Sequence, residues 1–330
     1  MYSRLRPWLF RVDPERAHAA TIRLLQLIGA FPPIAAIVRR AFSAQKAESV
    51  EVFGLGFANH LGLAAGYDKD GSAWRGLACL GFGHIEIGTI TPQPQSGNPK
   101  PRLFRLPEDQ ALVNRMGFPS RGAEFVLKRL HGMKPTQLIL GVNLGINKTT
   151  PLEKAADDYR YLIDKFNPIA DYLVINVSSP NTPGLRQLQG AISLDNLLKE
   201  LAPLRKRPLL VKLSPDLNEQ ELDQALAVII DNKIDGVIAT NTTLSRPVLQ
   251  SRHASESGGL SGAPLAALSR KSVDHIYART QGKLPIIAAG GIMSPQDADA
   301  AINAGASLVQ VFTGLIYRGP GLIKEILGTE

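Results

Sequence analysis

Hydrophobic positions change their period near residue 46. Before it they recur at helical spacing: Ala17, Ala20, Leu24 and Leu27/Ile28 form one stripe, Ile22 and Leu25 widen it, and Arg16, Arg23 and Gln26 make a narrow polar strip. Asp13-Pro14 supplies an N-cap followed by Pro at the first helical position. Gly29 and Pro32-Pro33 predict a break, and a second helix is predicted from about Ile34 to Phe42. More than half the circumference of each helix is apolar, more than one packing partner covers.

After residue 46, short apolar runs alternate with helical stretches. Val50–Phe53 and Leu55–Ala58 predict a hairpin turning at Gly54. Eight strand candidates follow: Leu61–Ala64, His84–Ile90, Leu138–Leu144, Tyr172–Val177, Leu209–Leu213, Gly236–Thr240, Pro285–Ala289 and Leu308–Val311. Thr150-Pro151-Leu152-Glu153 and Ser294-Pro295-Gln296-Asp297 read as helix starts of the capping-box kind. Eight buried parallel strands alternating with helices predict an α/β fold, a TIM-type (β/α)₈ barrel with a small N-terminal helical extension. A doubly wound open sheet is the structural alternative, but no G-x-G-x-x-G follows the first strand.

Charge is unevenly placed. Of the net +8, residues 1–46 carry +6: eight Lys/Arg, Lys46 the last, against Asp13 and Glu15. A basic, apolar start on a nearly neutral body suggests an anionic lipid surface, with a solvated helical face as the plainer reading. The longest stretch without charge, Ala300–Tyr317, is interrupted by Asn303, Gly305, Ser307, Gln310 and Gly314 and reads as strand plus turn, so no bilayer span is expected. Asp13, Glu15 and Arg16 fall where the apolar core of a signal peptide would be. The lone Cys79 excludes an intramolecular disulfide and a thiolate zinc site.

In such a barrel the chemistry sits at the C-terminal ends of the strands. Those ends read Lys69, Thr89, Asn143, Asn176, Lys212, Thr240-Asn241, Gly290-Gly291 and Phe312-Thr313. Any one alone would be turn chemistry. Together, amides and hydroxyls suit a flat polar heterocycle, and the absence of a His/Asp/Glu cluster argues against a metal. Gly-rich turns after the last two strands suit a phosphate. Lys212, flanked by apolar strand residues, needs an anionic partner, such as a reduced flavin ring. Asn176-Val177-Ser178-Ser179-Pro180-Asn181-Thr182-Pro183-Gly184-Leu185-Arg186 shapes a loop around Ser179 without the G-x-S-x-G of a serine hydrolase.

At these residues the chain resembles dihydroorotate dehydrogenases, within them the quinone-linked class, from about residue 50 onward. The resemblance rests on Ala64–Asp70, Asn114–Phe118, Asn176–Arg186, Ala239–Thr243, Gly258–Gly262 and Ala289–Ile292, with Asp13–His18 outside the barrel. It implies one FMN per chain, a quinone (ubiquinone or menaquinone) as co-substrate, and a peripheral place on the cytoplasmic face of the bacterial inner membrane. It implies an FMN-binding barrel over residues 46–330 and a helical membrane and quinone-access domain over residues 1–45. FMN would be held by Ala65, Gly66, Tyr67, Asp68 and Lys69, and by Thr89, Asn143, Asn176, Lys212 and Thr240. Gly262, Gly291, Phe312 and Thr313 would hold its phosphate; Phe312 stands where a Tyr is common in relatives. Lys69, Asn114, Arg115, Met116, Gly117 and Phe118 would bind dihydroorotate, with Asn176, Asn181, Asn241 and Thr242. Ser179 would take the C5 proton, where the soluble class uses Cys. His18 and nearby arginines would line the quinone path.

Two other readings stand beside it. A tRNA dihydrouridine synthase is also an FMN barrel and would suit the basic pI near 9.6, but those enzymes resemble one another around a catalytic Cys, whereas Cys79 sits mid-helix among apolar residues, and the basic excess here is N-terminal rather than spread along a barrel face. A membrane adaptor without enzymatic activity leaves the polar strand ends unexplained. No nucleic-acid partner is expected.

Overall fold

The helical spacing at the start is realised as α2 (Pro14–Ala30) and α3 (Pro32–Ala41), preceded by a short helix not singled out in the sequence, α1 (Tyr2–Leu9). The computed structural model describes residues 2–42, 48–131 and 138–328. Lys46 and the boundary expected between residues 45 and 46 lie outside the described residues. Asp13 caps α2, its carboxylate accepting from the Arg16 N–H at 3.0 Å, with Pro14 at the first helical position. Gly29 does not break the helix as expected. It lies inside α2, where the helix meets the backbone of Gly76 too closely for a side chain. The break falls at Phe31, and Pro32-Pro33 begin α3 after a bend of 106°. Among the described residues no single helix is long and apolar enough to cross a membrane.

The hairpin forms as β1 (Val50–Val52) and β2 (Leu55–Phe57), paired antiparallel. Then come β3 (Leu61–Leu63), α4 (Trp74–Leu77), β4 (His84–Ile90), β5 (Leu103–Leu106), β6 (Ala111–Asn114), α5 (Ala123–Leu130), β7 (Ile139–Leu144) and α6 (Ala155–Phe166). The chain continues through β8 (Tyr172–Asn176), α7 (Ala191–Leu201), β9 (Leu209–Leu213), α8 (Glu219–Asp231), β10 (Gly236–Ala239), β11 (Gly259–Gly262), α9 (Ala266–Thr280) and β12 (Ile286–Ala289). It ends with α10 (Pro295–Asn303), β13 (Leu308–Val311), α11 (Thr313–Arg318) and α12 (Gly321–Ile326).

Strands β3, β4, β7, β8, β9, β10, β12 and β13 close into a parallel barrel, β13 pairing back onto β3. Each coincides with an expected strand, within a residue or so at its ends. The antiparallel sheet of β5, β6 and β11 was not foreseen. Its strands come from two barrel loops, and each looks like a short loop motif until its partner is known.

The Ser294 cap forms: its hydroxyl accepts from the Asp297 N–H at 3.2 Å. The capping box at Thr150 does not. A single 3₁₀ turn over Leu152–Lys154 precedes α6, and the Thr150 hydroxyl donates instead to Asp158 at 2.8 Å.

Strand alternation stacks two storeys inside the barrel. The lower one is apolar, built from Val174, Leu210, Ile238, Ile287 and Leu308, and closed from below by Phe57 of the hairpin. Two large rings share it, His84 and Tyr172, with centroids 6.3 Å apart. Two glycines make room for them: a Cβ at Gly62 would lie 2.1 Å from His84 Nε2, and one at Gly141 would lie 2.1 Å from Tyr172 Cζ. The upper storey is polar: Glu86, Asn143, Asn176, Lys212, Thr240 and Gln310, all buried. It forms the floor of the site.

Candidate active site

Burial of so many polar groups requires that they satisfy one another. The Asn143 carbonyl accepts from the Thr89 hydroxyl at 2.6 Å and from Asn176 Nδ2 at 3.0 Å. Asn241 Nδ2 donates to Ser178 Oγ at 3.0 Å and to Asn176 Oδ1 at 3.3 Å. Amides from β7, β8 and the loop after β10 thus form a connected ring. Lys212 Nζ stands 3.9 Å from Glu86 Oε1.

Ser179 lies just above, 6% exposed, with its Oγ accepting from the Asn181 N–H at 3.3 Å. That donor fixes the direction of Oγ and leaves its O–H free to pass a proton on, as a hydroxyl acting as base requires. The loop is pinned from both sides. Arg186 donates to Ser178 O and Thr242 O, each at 2.9 Å, and pairs with Asp216 at 2.6 Å. Asn98 Nδ2 donates to Asn181 O at 3.0 Å and to Arg115 O at 3.1 Å, tying this loop to the one after β6. Asn181 Nδ2 donates to Asn114 Oδ1 at 3.1 Å.

A continuous hollow of about 1080 Å³ lies over the crown. It reaches Ser179 and most of the expected residues: Ala65, Gly66, Tyr67 and Lys69; Thr89, Asn114, Met116, Gly117 and Phe118; Asn176, Asn181, Lys212, Thr240, Asn241 and Thr242; Gly262, Gly291, Phe312 and Thr313. Three expected residues do not line it. Asp68 points into its own loop, accepting from the N–H groups of Ser72 and Ala73, each at 2.7 Å. Burial raises its carboxyl to about 6 despite those donors. Asn143 stands behind Thr89 and Asn176. Arg115 turns outward to Glu256 at 2.8 Å and over the Phe104 ring. Lys69 lines the hollow but does not end a strand; it lies in the loop beyond β3, with Nζ donating to Gly66 O at 2.6 Å. Burial lowers its pKa.

The fit to a flavin mononucleotide rests on chemistry and space. The ring of donors and acceptors matches a planar heterocycle, and Gln310 Oε1 is a buried carbonyl without a partner at the wall of the hollow. Gly262, Gly290, Gly291 and Thr313 form a cradle of backbone and hydroxyl donors, with Ser261 Oγ 2.9 Å from Thr313 Oγ1. Gly262 has φ +98, and a Cβ there would lie 2.3 Å from Gln110 O.

The hollow extends to the N-terminal helices. Leu24, Leu25 and Ile28 of α2 line it, with Val38 of α3 and Phe42 just beyond. Where it meets the barrel, three rings stand edge to face: His18 to Tyr67 at 5.1 Å, and Tyr67 to Phe312 at 5.8 Å. Burial, then the charge of Lys69, lowers the His18 pKa to about 3, so its imidazole is neutral. Glu15 ties α2 to the barrel through Arg102 at 2.6 Å and Lys100 at 2.7 Å. The outer faces stay bare: Trp8, Leu27, Phe31, Ile34 and Ile37 are all exposed.

Glu86, Gln310, Asn98 and Arg105, the last lining the hollow and donating to Val12 O at 2.6 Å, were not singled out in the sequence. The argument that marks Lys212, a charge flanked by apolar residues in a buried strand, marks Glu86 between Ile85 and Ile87 equally well. Asn98 and Arg105 carry no such signal.

A family model described as dihydroorotate dehydrogenase matches residues 48–329. A protein of Acidithiobacillus ferrooxidans named dihydroorotate dehydrogenase (quinone) is 52% identical, over 99% of this chain and 93% of that one. One of the same name from an Anaeromyxobacter species is 52% identical, over 98% and 90%. The solved structure of DHODH from Eimeria tenella in complex with ferulenol superposes with a TM-score of 0.88 at 39% identity, covering 96% of this chain and 90% of that one.

Proposed function

This chain belongs to the dihydroorotate dehydrogenase family, in its quinone-linked class, and we propose that it oxidises dihydroorotate to orotate on a bound FMN and delivers the electrons to a membrane quinone. One observation carries the reading: a single hollow joins the buried amide crown and Ser179 to an apolar helix pair. When bound, FMN supplies the hydride acceptor for C6 of the substrate and the electron store that links the two half-reactions.

The chain's own groups do the rest. Ala65, Gly66, Thr89, Lys212 and Thr240 hold the flavin ring, and Gly262, Gly291, Phe312 and Thr313 its phosphate. Lys69 meets the substrate carboxylate, and Asn114, Asn176, Asn181 and Asn241 offer both donors and acceptors to its amide and imide groups. Met116, Gly117, Phe118 and Thr242 complete that wall. Asp68, Tyr67, Asn143 and Arg115 act indirectly by shaping the loops and the crown. Ser179 Oγ takes the C5 proton while its own hydroxyl proton passes on through an ordered water or a nearby Thr; the Asn181 N–H holds Oγ in place and exclusion of water assists. Lys212 would offer a fixed positive charge to the bound flavin ring.

The N-terminal helices, expected to form a domain over residues 1–45, lay their bare apolar faces into a lipid interface while their arginines meet anionic headgroups. The enzyme is then peripheral on the cytoplasmic face of a bacterial inner membrane, taking ubiquinone or menaquinone from the lipid. The tRNA dihydrouridine synthase alternative lacks a catalytic Cys at the site: Cys79 is buried, its Sγ donating to Arg75 O at 3.3 Å, and does not line the hollow.

Anaerobic mixing tests the reading. Dihydroorotate should bleach the flavin absorption, and a quinone, but neither fumarate nor NAD, should restore it. No bleaching by dihydroorotate would overturn the substrate, and equal reoxidation by fumarate or NAD would overturn the quinone.

A further inference from the structure

Glu86 lies at the centre of the barrel, 0% exposed. Asn143 Nδ2 donates to its Oε1 at 2.7 Å and Gln310 Nε2 to its Oε2 at 2.8 Å. An ionised carboxylate only accepts, so an amide that faces it must present its NH₂. This decides the orientation of Asn143. Its carbonyl turns away and accepts from Thr89 and Asn176. Asn176, its NH₂ committed there, shows Oδ1 to Asn241. Asn241 in turn gives its Oδ1 to the Thr242 N–H at 2.7 Å. On the other side, Gln310 commits its NH₂ to Glu86, and its Oε1 is left without a partner at the wall of the hollow.

We propose that Glu86 is a positioning residue: its carboxylate orients the whole amide ring, and so sets the pattern of donors and acceptors offered to the flavin and the substrate. This rests on the reading of the preceding subsection. It also assigns Gln310 Oε1 as an acceptor for a donor group of the flavin. Stability is a weak reason for a carboxylate here, because replacing a buried ion pair such as that with Lys212 by apolar side chains is often neutral or stabilising. Orientation does account for it, since no neutral side chain of this shape accepts from both neighbours through separate oxygens.

The test is a swap. Glu86→Gln keeps the shape but must show an NH₂ to Asn143 or to Gln310. Either the ring turns over from Asn143 onward or Gln310 turns its NH₂ into the hollow. Adding Asn143→Asp restores an acceptor opposite the new NH₂ and returns both Gln310 and Asn176 to their original orientation. FMN affinity, measured by refilling flavin-free protein, should fall at least fivefold in E86Q and recover at least half of that loss, on a logarithmic scale, in E86Q/N143D. The melting temperatures of the flavin-free proteins should follow the same order, which tests the ring without reference to the cofactor. If E86Q does not fold, the double variant should. A loss below fivefold in E86Q, or a double variant no better than E86Q in either measurement, overturns the proposal.

Discussion

Gly76 backs onto the carbonyl of Leu25 so closely that a Cβ at Gly76 would lie 2.0 Å from Leu25 O. Gly29, one turn further along α2, would place its own Cβ 2.7 Å from Gly76 N. Helix α2 therefore seats on α4 backbone against backbone, and this contact registers the helix pair on the barrel. Gly76→Ala should lift α2 and impair quinone reduction at least tenfold. Flavin reduction by dihydroorotate should stay within about twofold of wild type. Stopped-flow measurement of the two half-reactions checks this, and equal loss in both would show that the contact supports the barrel rather than the helices.

Ser179→Ala removes the proposed base without disturbing the crown. Flavin reduction by dihydroorotate should slow by roughly 10²–10⁴-fold, the usual contribution of a positioned base, while FMN stays bound. Unchanged bleaching kinetics would remove Ser179 from the mechanism.

Deleting residues 1–45 should abolish turnover with long-chain quinones and any stimulation by detergent or lipid. Reduction of a small water-soluble dye by dihydroorotate should persist. A truncated protein that still reduces ubiquinone normally would sink the access-path reading.

Lys212→Ala leaves the Glu86 carboxylate buried without its cation. Breaking a buried pair from one side costs about 3–5 kcal/mol, so the melting temperature should fall as well as the flavin affinity. A variant with wild-type stability and full activity would mean that neither partner depends on the pair.

His84 carries an acid-sensitivity prediction. Burial, then the nearby His60 charge, lowers its pKa from the usual 6.5 to about 3, and neither ring nitrogen has a partner. A depressed imidazole pKa means that the unfolded chain binds the proton first. Stability is complete above pH 6.5 and falls as pH drops from there toward 3, by about 1.4 kcal/mol per pH unit for one such group. His84→Leu should be neutral or stabilising at pH 7 and should flatten that acid limb by one proton. An unaltered slope in urea titrations across this range would show that His84 is not the group responsible.

The barrel was legible because its strands are continuous apolar runs of the right length, bounded by polar or glycine ends such as Asn176 and Gly290. Strand ends also revealed most of the crown, since Thr89, Lys212 and Thr240 are polar residues at or just past the C-terminal ends of such runs. Direction was less legible. Asp68 and Arg115 sit in motifs beside the site yet face away from it, and spacing along an irregular loop carries no facing rule. In the sheet of β5, β6 and β11, the β6–β11 pairing was missed because it joins segments nearly 150 residues apart, as Ser261 and Leu112 are, while β5 and β6 form a local hairpin of only four residues a side. Glu86 was missed for a different reason. It sits mid-strand rather than at a strand end, and its effect reaches the hollow only through Asn143 and Gln310.

Phe57 and the hairpin stopper the cylinder from beneath. Traffic along the axis is thereby forbidden: water, ions and ligands all come and go over the rim, and a proton lost from the crown is replaced from that side alone. Deuterium should accordingly reach the side-chain amides of Asn143 and Gln310 slowly in the filled enzyme and much faster once the dye is washed out. The plug makes the cavity a cup rather than a pipe, and what sits in the cup is its lid.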